Sequence, residues 1–443
     1  MKPCASSRSG WGCLPDVFSL SRFGERYFSL VRANRNYRLL WIAQTVSEMG
    51  DWFYSLAVYN LLLELTHNKA QSVGLAVVLQ VLPHTLTAPA TGVINDRVNR
   101  KAIMISADVA RFFIVLGMLA VRTPSMVWLV YVLLLLETVG AAFFEPARSA
   151  VIPNIVAEEE VLTANTLSSI TWSFCLAAGA SLGGVVAVLL GRDAVFLLNA
   201  FSFLGSAWLI ARMRFREPHA ECLPPLRRRD LVDFTPVLEG ARYIRSDARR
   251  FATVFVKGGI GLVGANNVVL PILGQRVFQN SFHGLDPARG AVLAMSLLMG
   301  ARGAGSLLGP LIGGKWAGDQ HSRLRSGILA GFLLAAAGYL LLGLSGSLAL
   351  AVLTVVLAHA GSSTNWVFSS TLLQLSTADR FRGRVFAADF GLCMLTISAS
   401  SYAAGVAIDL GVPVRWLAMI IGGVMVVPAV GWAWALRRTE GAV

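Results

Sequence analysis

Long apolar runs separated by short polar turns are the dominant pattern in this sequence of 443 residues. Each run holds about 20 predominantly apolar residues, the length that a helix needs to cross ~30 Å of hydrocarbon. The pattern therefore predicts an all-α membrane protein. Twelve transmembrane helices are predicted, over residues 39–64, 72–94, 102–121, 125–144, 164–189, 194–213, 251–275, 289–314, 325–344, 347–370, 384–407 and 413–436.

The composition agrees with a membrane protein and excludes a soluble class. Hydrophobic residues make up 55% of the chain and charged residues 14%, whereas soluble domains carry about 25% charged residues. The formal net charge of +13 would suit a nucleic-acid partner, but the cations lie in short turns between apolar runs. We therefore expect a lipid bilayer around the chain and no bound nucleic acid.

The basic residues are unevenly shared between the two sets of connecting segments. One set contains the basic turns at 97–101, 227–229 and 380–384, whereas the other holds isolated cations such as Lys69 and Arg122. Cytoplasmic loops of membrane proteins are enriched in Lys and Arg, so both termini are predicted to be cytoplasmic. The even number of helices requires the same arrangement.

The polar connection at residues 214–250 divides the helices into two groups of six. Two parallel repeats of this kind place a substrate site between them. The predicted parts are a cytoplasmic tail at 1–38, an N-terminal six-helix bundle at 39–213, a basic cytoplasmic linker at 214–250, a C-terminal six-helix bundle at 251–437 and a cytoplasmic tail at 438–443.

Three local features refine this division. The first 38 residues lack the apolar core of a signal peptide. Apolar side chains within residues 238–244 of the linker predict a short amphipathic helix at the membrane surface. In the second half, Asp319 and Arg323 repeat the spacing of Asp96 and Arg100 in the first half.

A charged turn at residues 92–101 carries the most specific signal in the sequence. It resembles the signature G-x-L-x-D-R-x-G-R-R of the major facilitator superfamily, with Asn99 where the family has Gly. Asn enters the left-handed backbone region at low cost, so the turn is expected to survive this change. The matching residues are Gly92, Asp96, Arg97, Arg100 and Lys101, with Ile94 in place of Leu.

The resemblance implies the fold of that superfamily, twelve helices in two bundles, and a role for the turn. In the family the signature Asp meets the start of helix 11, so Asp96 is expected to face Gly383 and Arg384. Such a contact holds the two halves together on the cytoplasmic side when the cavity opens outward.

The signature Arg of the family meets an acidic group of helix 4. By this resemblance Arg100 is expected to reach Glu137 or Glu145. Charged residues placed towards the cytoplasmic ends of other helices are interpreted as further gate groups, and these are Asp108, Arg111, Glu137 and Asp389.

Further segments resemble one bacterial branch of the superfamily, which includes the enterobactin exporter and macrolide efflux proteins. The branch implies secondary transport across the bacterial cytoplasmic membrane, commonly efflux of small amphiphilic molecules driven by a proton gradient. A monomer is expected. Drug antiporters carry G-P-x-x-G-G on helix 5, but residues 179–184 lack this Pro, so the direction of transport stays open. The segments are residues 44–52, 144–148, 152–153, 164–165 and 382–385.

Helix 1 has the richest set of polar residues at membrane depth. Gln44, Glu48, Asp51 and Ser55 are spaced by four, three and four residues, which puts them on one face. A charge at this depth costs ~2.5–3.5 kcal/mol on insertion scales, so it needs a partner or a water-lined cavity. We predict that Asp51, together with Glu48, binds a proton or a cationic substrate. The alternative is a carboxylate that caps or pairs with a neighbouring helix.

Three basic or titratable side chains in the second half are the counterparts of this face. Arg302 pairs with an acidic group or contacts substrate, and its glycine neighbours leave room for the guanidinium. Lys257 either does the same or extends to the cytoplasmic surface, because it lies near that end of its helix. His359 is expected in the cavity wall, with Asn267 nearby.

Other classes of function find less support in the sequence. A lipid or lysophospholipid transporter of the same fold remains the alternative. No nucleophile–base pair, metal-ligand cluster or phosphate loop is visible, so neither an enzyme nor a cofactor or metal is expected. None of the five cysteines lies in a segment predicted outside, so no disulfide framework is implied.

Overall fold

The computed structural model describes residues 20–217, 231, 233–318 and 320–440, and every regular element in these ranges is a helix. The first half contains eight α-helices. They are α1 Leu20–Ala33, α2 Arg35–Leu65, α3 Ala70–Leu86, α4 Ala88–Arg97, α5 Arg100–Gly117, α6 Val127–Ile155, α7 Val161–Leu190 and α8 Arg192–Ala211.

The second half also contains eight α-helices within the described ranges. Its first helix belongs to the linker between the halves. The helices are α9 Thr235–Arg245, α10 Ala248–Leu262, α11 Asn266–Arg276, α12 Pro287–Ala317, α13 His321–Leu344, α14 Leu348–Ser376, α15 Asp379–Asp409 and α16 Val414–Glu440. Asp319, which forms half of the repeated spacing noted above, lies outside the described residues.

The segment predicted as an N-terminal tail contains α1 and the beginning of α2. Helix α2 begins four residues before the predicted boundary at residue 39, because Asn34 caps its first turn. The Asn34 side chain accepts a 2.9 Å hydrogen bond from the Tyr37 backbone amide. Such a cap satisfies one of the amides that a helix start leaves without a partner.

The second predicted transmembrane helix is broken into α3 and α4, which are bent by 52°. Pro89 in the first turn of α4 lacks a backbone N–H, and its ring clashes with the carbonyl of residue 85 in a continuous helix. Pro83 disturbs the last turn of α3 in the same way. The bend therefore follows from two prolines six residues apart.

Ten helical segments in the described ranges are long and apolar enough to cross a membrane, and the bent pair α3–α4 makes eleven. Helix α2 has 31 residues but carries Glu48 and Asp51, and it packs among the others as the remaining helix of the first bundle. The predicted all-α fold of two six-helix bundles is confirmed. The count of twelve membrane-spanning helices is approximate, because length and apolar composition alone identify at most eleven in the described ranges. Large apolar side chains such as Trp128 and Leu189 face outward, as lipid contact requires.

The helices alternate in direction, so their ends form two faces. We call the end that carries the turn between α4 and α5 the basic face, and the opposite end the far face. At the basic face the Lys101 Nζ donates to the carbonyls of Ala211 and Met213, at 2.9 and 2.8 Å. At the far face Arg122 makes two hydrogen bonds to Asp193, at 2.9 and 2.8 Å.

The predicted amphipathic helix of the linker is present as α9, and it packs against α15. The ring of Tyr243 stacks on that of Phe381 with centroids 4.3 Å apart, and Arg384 lies 2.7 Å from Glu239. Ile244 is buried in a small apolar core, whereas Leu238 is exposed. One face of the helix is therefore covered by the C-terminal half.

Candidate functional site

The polar face predicted on α2 is divided between two networks, and the first is centred on Gln44. Its amide nitrogen donates to Glu48 Oε1 at 2.8 Å, and its oxygen accepts from Arg148 Nη1 at 2.9 Å. Arg148 also lies 2.7 Å from Glu145 on the same helix, α6. The Arg148 guanidinium thus pairs directly with Glu145 and is linked to Glu48 through the side-chain amide of Gln44.

The second network surrounds Arg111, and we call Asp51, Asp108, Arg111 and Glu137 the Arg111 cluster. The guanidinium lies 3.9 Å from the Asp51 carboxylate and 4.0 Å from that of Glu137, and it donates a hydrogen bond to Asp108. It also lies over the ring of Phe203, 4.2 Å from the centroid. Helices α2, α5 and α6 therefore meet at one buried cation.

The Arg111 cluster contains three carboxylates and one guanidinium, so it has an excess of acidic groups at membrane depth. Its members differ in exposure. The Asp108 side chain is fully buried and that of Glu137 is 10% exposed, whereas that of Asp51 is 34% exposed. Asp51 is therefore the most accessible member of the cluster.

This arrangement corrects the interpretation of three residues as gate groups. Arg111 lies eleven residues into α5, about 16 Å from the start of that helix at 1.5 Å per residue. Asp108 and Glu137 contact it at the same depth. Sequence spacing places each residue along its own helix, but it does not say which faces of three helices converge.

The signature turn is held within the N-terminal half. Arg100 donates through Nη1 to the Ala150 carbonyl at 3.0 Å and lies 3.7 Å from Asp96. The expected contact of Arg100 with Glu137 or Glu145 is not made in this conformation, because those carboxylates lie deeper and pair with other arginines.

Asp96 is largely exposed, with 73% of its side chain accessible. Gly92 in α4 and Gly383 in the first turns of α15 border open space. Arg384 pairs with Glu239 of α9, so its expected partner in the first half is not engaged in this conformation.

Asn99 holds the turn by a mechanism that differs from the expected one. Its backbone φ is −57°, outside the left-handed region, and its side chain accepts a 2.8 Å hydrogen bond from the Ala102 amide. Asn99 is the N-cap of α5. Asn is favoured at this position because its side-chain oxygen satisfies an amide of the first turn.

Lys257 and Asp389 form a buried ion pair in the C-terminal half. Their N–O distance is 3.2 Å, and both side chains are at most 4% exposed. Lys257 also donates to the Ser370 hydroxyl at 2.9 Å and lies 3.8 Å from the centroid of the Trp366 ring. Lys257 therefore does not extend to the surface, and Asp389 is its buried partner within the C-terminal half.

Arg302 lies midway along α12, and its guanidinium donates a hydrogen bond to Asn267 Oδ1. His359 is buried beside it and shares a 2.8 Å hydrogen bond between Nε2 and the Tyr339 hydroxyl. The structure thus brings Arg302, Asn267 and His359 into one polar group.

The far face carries polar contacts between the halves that sequence reasoning missed. The Asp409 carboxylate at the end of α15 accepts hydrogen bonds from the amides of Ala70 and Gln71 at the start of α3, both at 2.8 Å. Arg276 donates to the Asn68 carbonyl at 2.6 Å, and Gln71 donates to the Tyr402 hydroxyl. The only sequence signal was an Asp at a helix end.

Close helix packing extends this closure towards the centre of the molecule. A Cβ on Gly405 would lie 2.8 Å from the Ala70 carbonyl oxygen, so α15 meets the start of α3 at backbone distance. The glycine-rich face of α12 meets α7 in the same way at Gly300 and Gly303. Small residues at such positions let helices approach closely.

The fold and the paired halves define the class as a transporter of the major facilitator type. Solved structures support this assignment of fold. The nucleoside transporter NupG superposes with a TM-score of 0.67 at 10% identity, over 90% of this chain and 98% of the other. A bacterial homolog of the human lysosomal transporter Spinster, in an inward-facing unoccupied conformation, gives 0.64 at 14% identity, over 91% and 97%.

The chain belongs to the transmembrane secretion effector family of this superfamily, whose profile matches residues 29–442. Its curated relatives are membrane transporters, and the prediction that the chain is not an enzyme is confirmed. The described residues contain no group of three or more His, Cys, Asp or Glu side chains that could hold a metal ion.

Two bacterial relatives illustrate the family. Macrolide efflux protein A of Streptococcus pyogenes is 36% identical over 124 residues, 28% of this chain and 30% of that protein. BacE of Bacillus subtilis, assigned as a bacilysin exporter, is 23% identical over 393 residues, 88% and 92% of the two chains. The predicted resemblance to macrolide efflux proteins is therefore confirmed, although the first of these matches spans under a third of the relative.

Proposed function

We propose that the protein exports a small amphiphilic molecule across the bacterial cytoplasmic membrane, in exchange for protons. The observation that carries this proposal is the Arg111 cluster, where three carboxylates share one guanidinium at membrane depth. Buried charges of one sign in excess are costly, so such a cluster is suited to hold a proton or a cationic group. Asp51 is its accessible member and our candidate for the coupling site.

Alternating access supplies the path for this exchange. The contacts of Asp409, Arg276 and Gly405 close the far face, whereas Gly92 and Asp96 at the basic face border open space. The basic face is the cytoplasmic one by the distribution of Lys and Arg, with both termini on that side. The structure then corresponds to a state that receives substrate from the cytoplasm.

The signature turn acts in the opposite state. Asp96, exposed here, would meet the turn at Gly383 and Arg384 when the cytoplasmic side closes. In that state the contacts of Asp409 at the far face are broken. Contacts at one face thus form as those at the other face break, and neither half needs to unfold.

A proton and a cationic substrate compete for the Arg111 cluster, and this competition drives export. A proton that reaches the cluster from the far face removes negative charge and weakens the hold on a cationic group. Loss of that proton to the cytoplasm restores the charge. Efflux is further supported by the relatives, whose names include macrolide efflux and bacilysin export.

A substrate-panel assay in cells that lack endogenous pumps tests the proposal. Accumulation of each compound is compared with and without a protonophore, for the wild-type chain and for an Asp51→Asn variant. We expect lower accumulation of at least one amphiphilic compound, reversed by the protonophore and by the substitution. Movement of lysophospholipids that ignores the protonophore would instead support the lipid transporter and overturn this proposal.

A further inference from the structure

Arg302 is a cation at membrane depth that has no carboxylate partner among the described residues. Its hydrogen bond goes to a neutral amide, Asn267. Three buried cations of other membrane-spanning helices differ in this respect. Arg111, Arg148 and Lys257 each lie within 4 Å of a carboxylate.

The guanidinium of Arg302 is available to a ligand. A guanidinium carries five N–H donors, and the described contacts use one of its nitrogens. The residue is partly exposed, and none of its side-chain nitrogens is both buried and without a partner. Asn267 accepts a hydrogen bond from one nitrogen of the planar guanidinium, and the other nitrogens remain available to a ligand.

Arg302 and the Arg111 cluster lie on opposite halves of the molecule, at about the same level. Helix α7 contacts both α12, which carries Arg302, and α2, which carries Asp51. A Cβ on Gly303 would meet the Ala177 amide nitrogen, and a Cβ on Gly179 would lie 2.9 Å from the Cβ of Trp52, the residue after Asp51. The two halves thus present an acidic group and a basic group at one level of the membrane.

We propose that Arg302 binds a carboxylate of the transported molecule while the cationic group of the same molecule lies at the Arg111 cluster. The inference rests on the proposed function and narrows the substrate class to zwitterions. A guanidinium fork matches a carboxylate with two parallel hydrogen bonds, which fixes both distance and orientation. The uncompensated charge of Arg302 is then neutralised by the substrate itself.

The two charged sites bind opposite ends of one substrate. A short peptide with free termini carries an amine at one end and a carboxylate at the other. Short hydrophobic peptides, or molecules with the same spacing of amine and carboxylate, fit this requirement. A molecule with only a cationic group leaves Arg302 without a counter-ion.

Calorimetric binding to the purified full-length protein in lipid nanodiscs tests this assignment. The probes are trileucine, its C-terminal amide and its N-acetyl form, which remove the carboxylate and the amine in turn. For the wild type we expect trileucine to bind at least tenfold more tightly than either derivative. In Arg302→Gln the free peptide and the amide should bind equally, whereas Arg302→Lys should retain part of the preference.

Arg289→Gln is the matched control, because Arg289 is an exposed arginine of the same helix that pairs with Asp286. This variant should keep the full preference for the free carboxylate. Equal binding of trileucine and its amide to the wild type, or no binding of any probe, would overturn the assignment. A variant that fails to fold is recognised by its elution profile, and Arg302→Lys then carries the comparison.

Binding and transport results separate this inference from the proposed function. If the probes do not discriminate but a proton gradient still drives export of other compounds, the assignment of Arg302 fails and the exporter stands. If discrimination at Arg302 is found but no export responds to a protonophore, the zwitterion site stands and proton-driven export fails.

Discussion

Asp409 accepts a 2.8 Å hydrogen bond from the backbone amide of Ala70, across the boundary between the two halves. The carboxylate lies at the N-terminus of α3, where the amides have no partner within the helix and the helix dipole favours a negative charge. In the proposed mechanism this contact exists only while the far face is closed. Its free energy therefore contributes directly to the balance between the two transport states.

Asp409→Ala should shift the population towards the state that is open at the far face. Loss of a helix cap costs ~1 kcal/mol, which changes the ratio of the two states about fivefold. Spin labels at exposed Ser125 and Asn280, on opposite halves of that face, report the change as longer distances. Asp286→Ala is the control, because Asp286 caps a helix of its own half. Equal distance distributions in the two variants would contradict a role of Asp409 in holding the far face closed.

The ion pair of Lys257 and Asp389 predicts an asymmetric response to substitution. Lys257→Met alone leaves Asp389 buried without its cation, which costs ~3–5 kcal/mol. Lys257→Met combined with Asp389→Leu removes both charges and should recover most of the thermal stability. Unfolding temperatures of the purified variants check this expectation.

Arg192→Met serves as the reference for that experiment. Arg192 pairs with Glu64, whose side chain is 62% exposed, and such surface pairs contribute at most about 1 kcal/mol. A single Lys257 variant as stable as this reference would show that the buried pair is not required for folding.

The helices and the signature turn could be predicted because both signals are local. An apolar run and a charged turn are complete within a few tens of residues, and the proline pair at 83 and 89 was equally visible. The Arg111 cluster could not be predicted in this way, because it depends on which faces of α2, α5 and α6 meet. For the same reason Lys257 and Asp389, 132 positions apart, were interpreted separately.

Topology gives a direct check on the assignment of the basic face to the cytoplasm. A reporter that is active only in the cytoplasm should give signal when fused after residue 230 or at the C-terminus. Fusion at residue 283, in the connection between α11 and α12 at the far face, should give none. Signal at 283 together with silence at 230 would invert the orientation and the proposed direction of transport.

Asp96→Asn should lower transport while leaving expression near normal. The carboxylate is exposed in this conformation and makes only a 3.7 Å pair with Arg100, so its removal costs the present state little. Its partner at the start of α15 is expected in the other state. Initial export rates and the amount of folded protein are measured together, with Asp193→Asn at the far face as control. A parallel loss of protein and activity would indicate a folding role.

Asp51→Asn tests the coupling site. Asn keeps the size and the hydrogen bonding of the side chain but cannot ionise, so the substitution separates charge from packing. We expect it to abolish concentrative transport driven by a pH gradient, because the accessible carboxylate of the Arg111 cluster is lost. Exchange of substrate without a gradient should persist, since alternating access itself needs no proton.

The two activities are best compared in proteoliposomes, with an imposed pH gradient in one arm and preloaded substrate in the other. Glu64→Gln on the same helix is the matched control, because this carboxylate lies at the far surface in a pair with Arg192. It should behave as the wild type in both arms. If Asp51→Asn still moves substrate against its gradient at the wild-type rate, Asp51 stabilises the packing around Arg111 and the coupling carboxylate is Glu48 or Glu137.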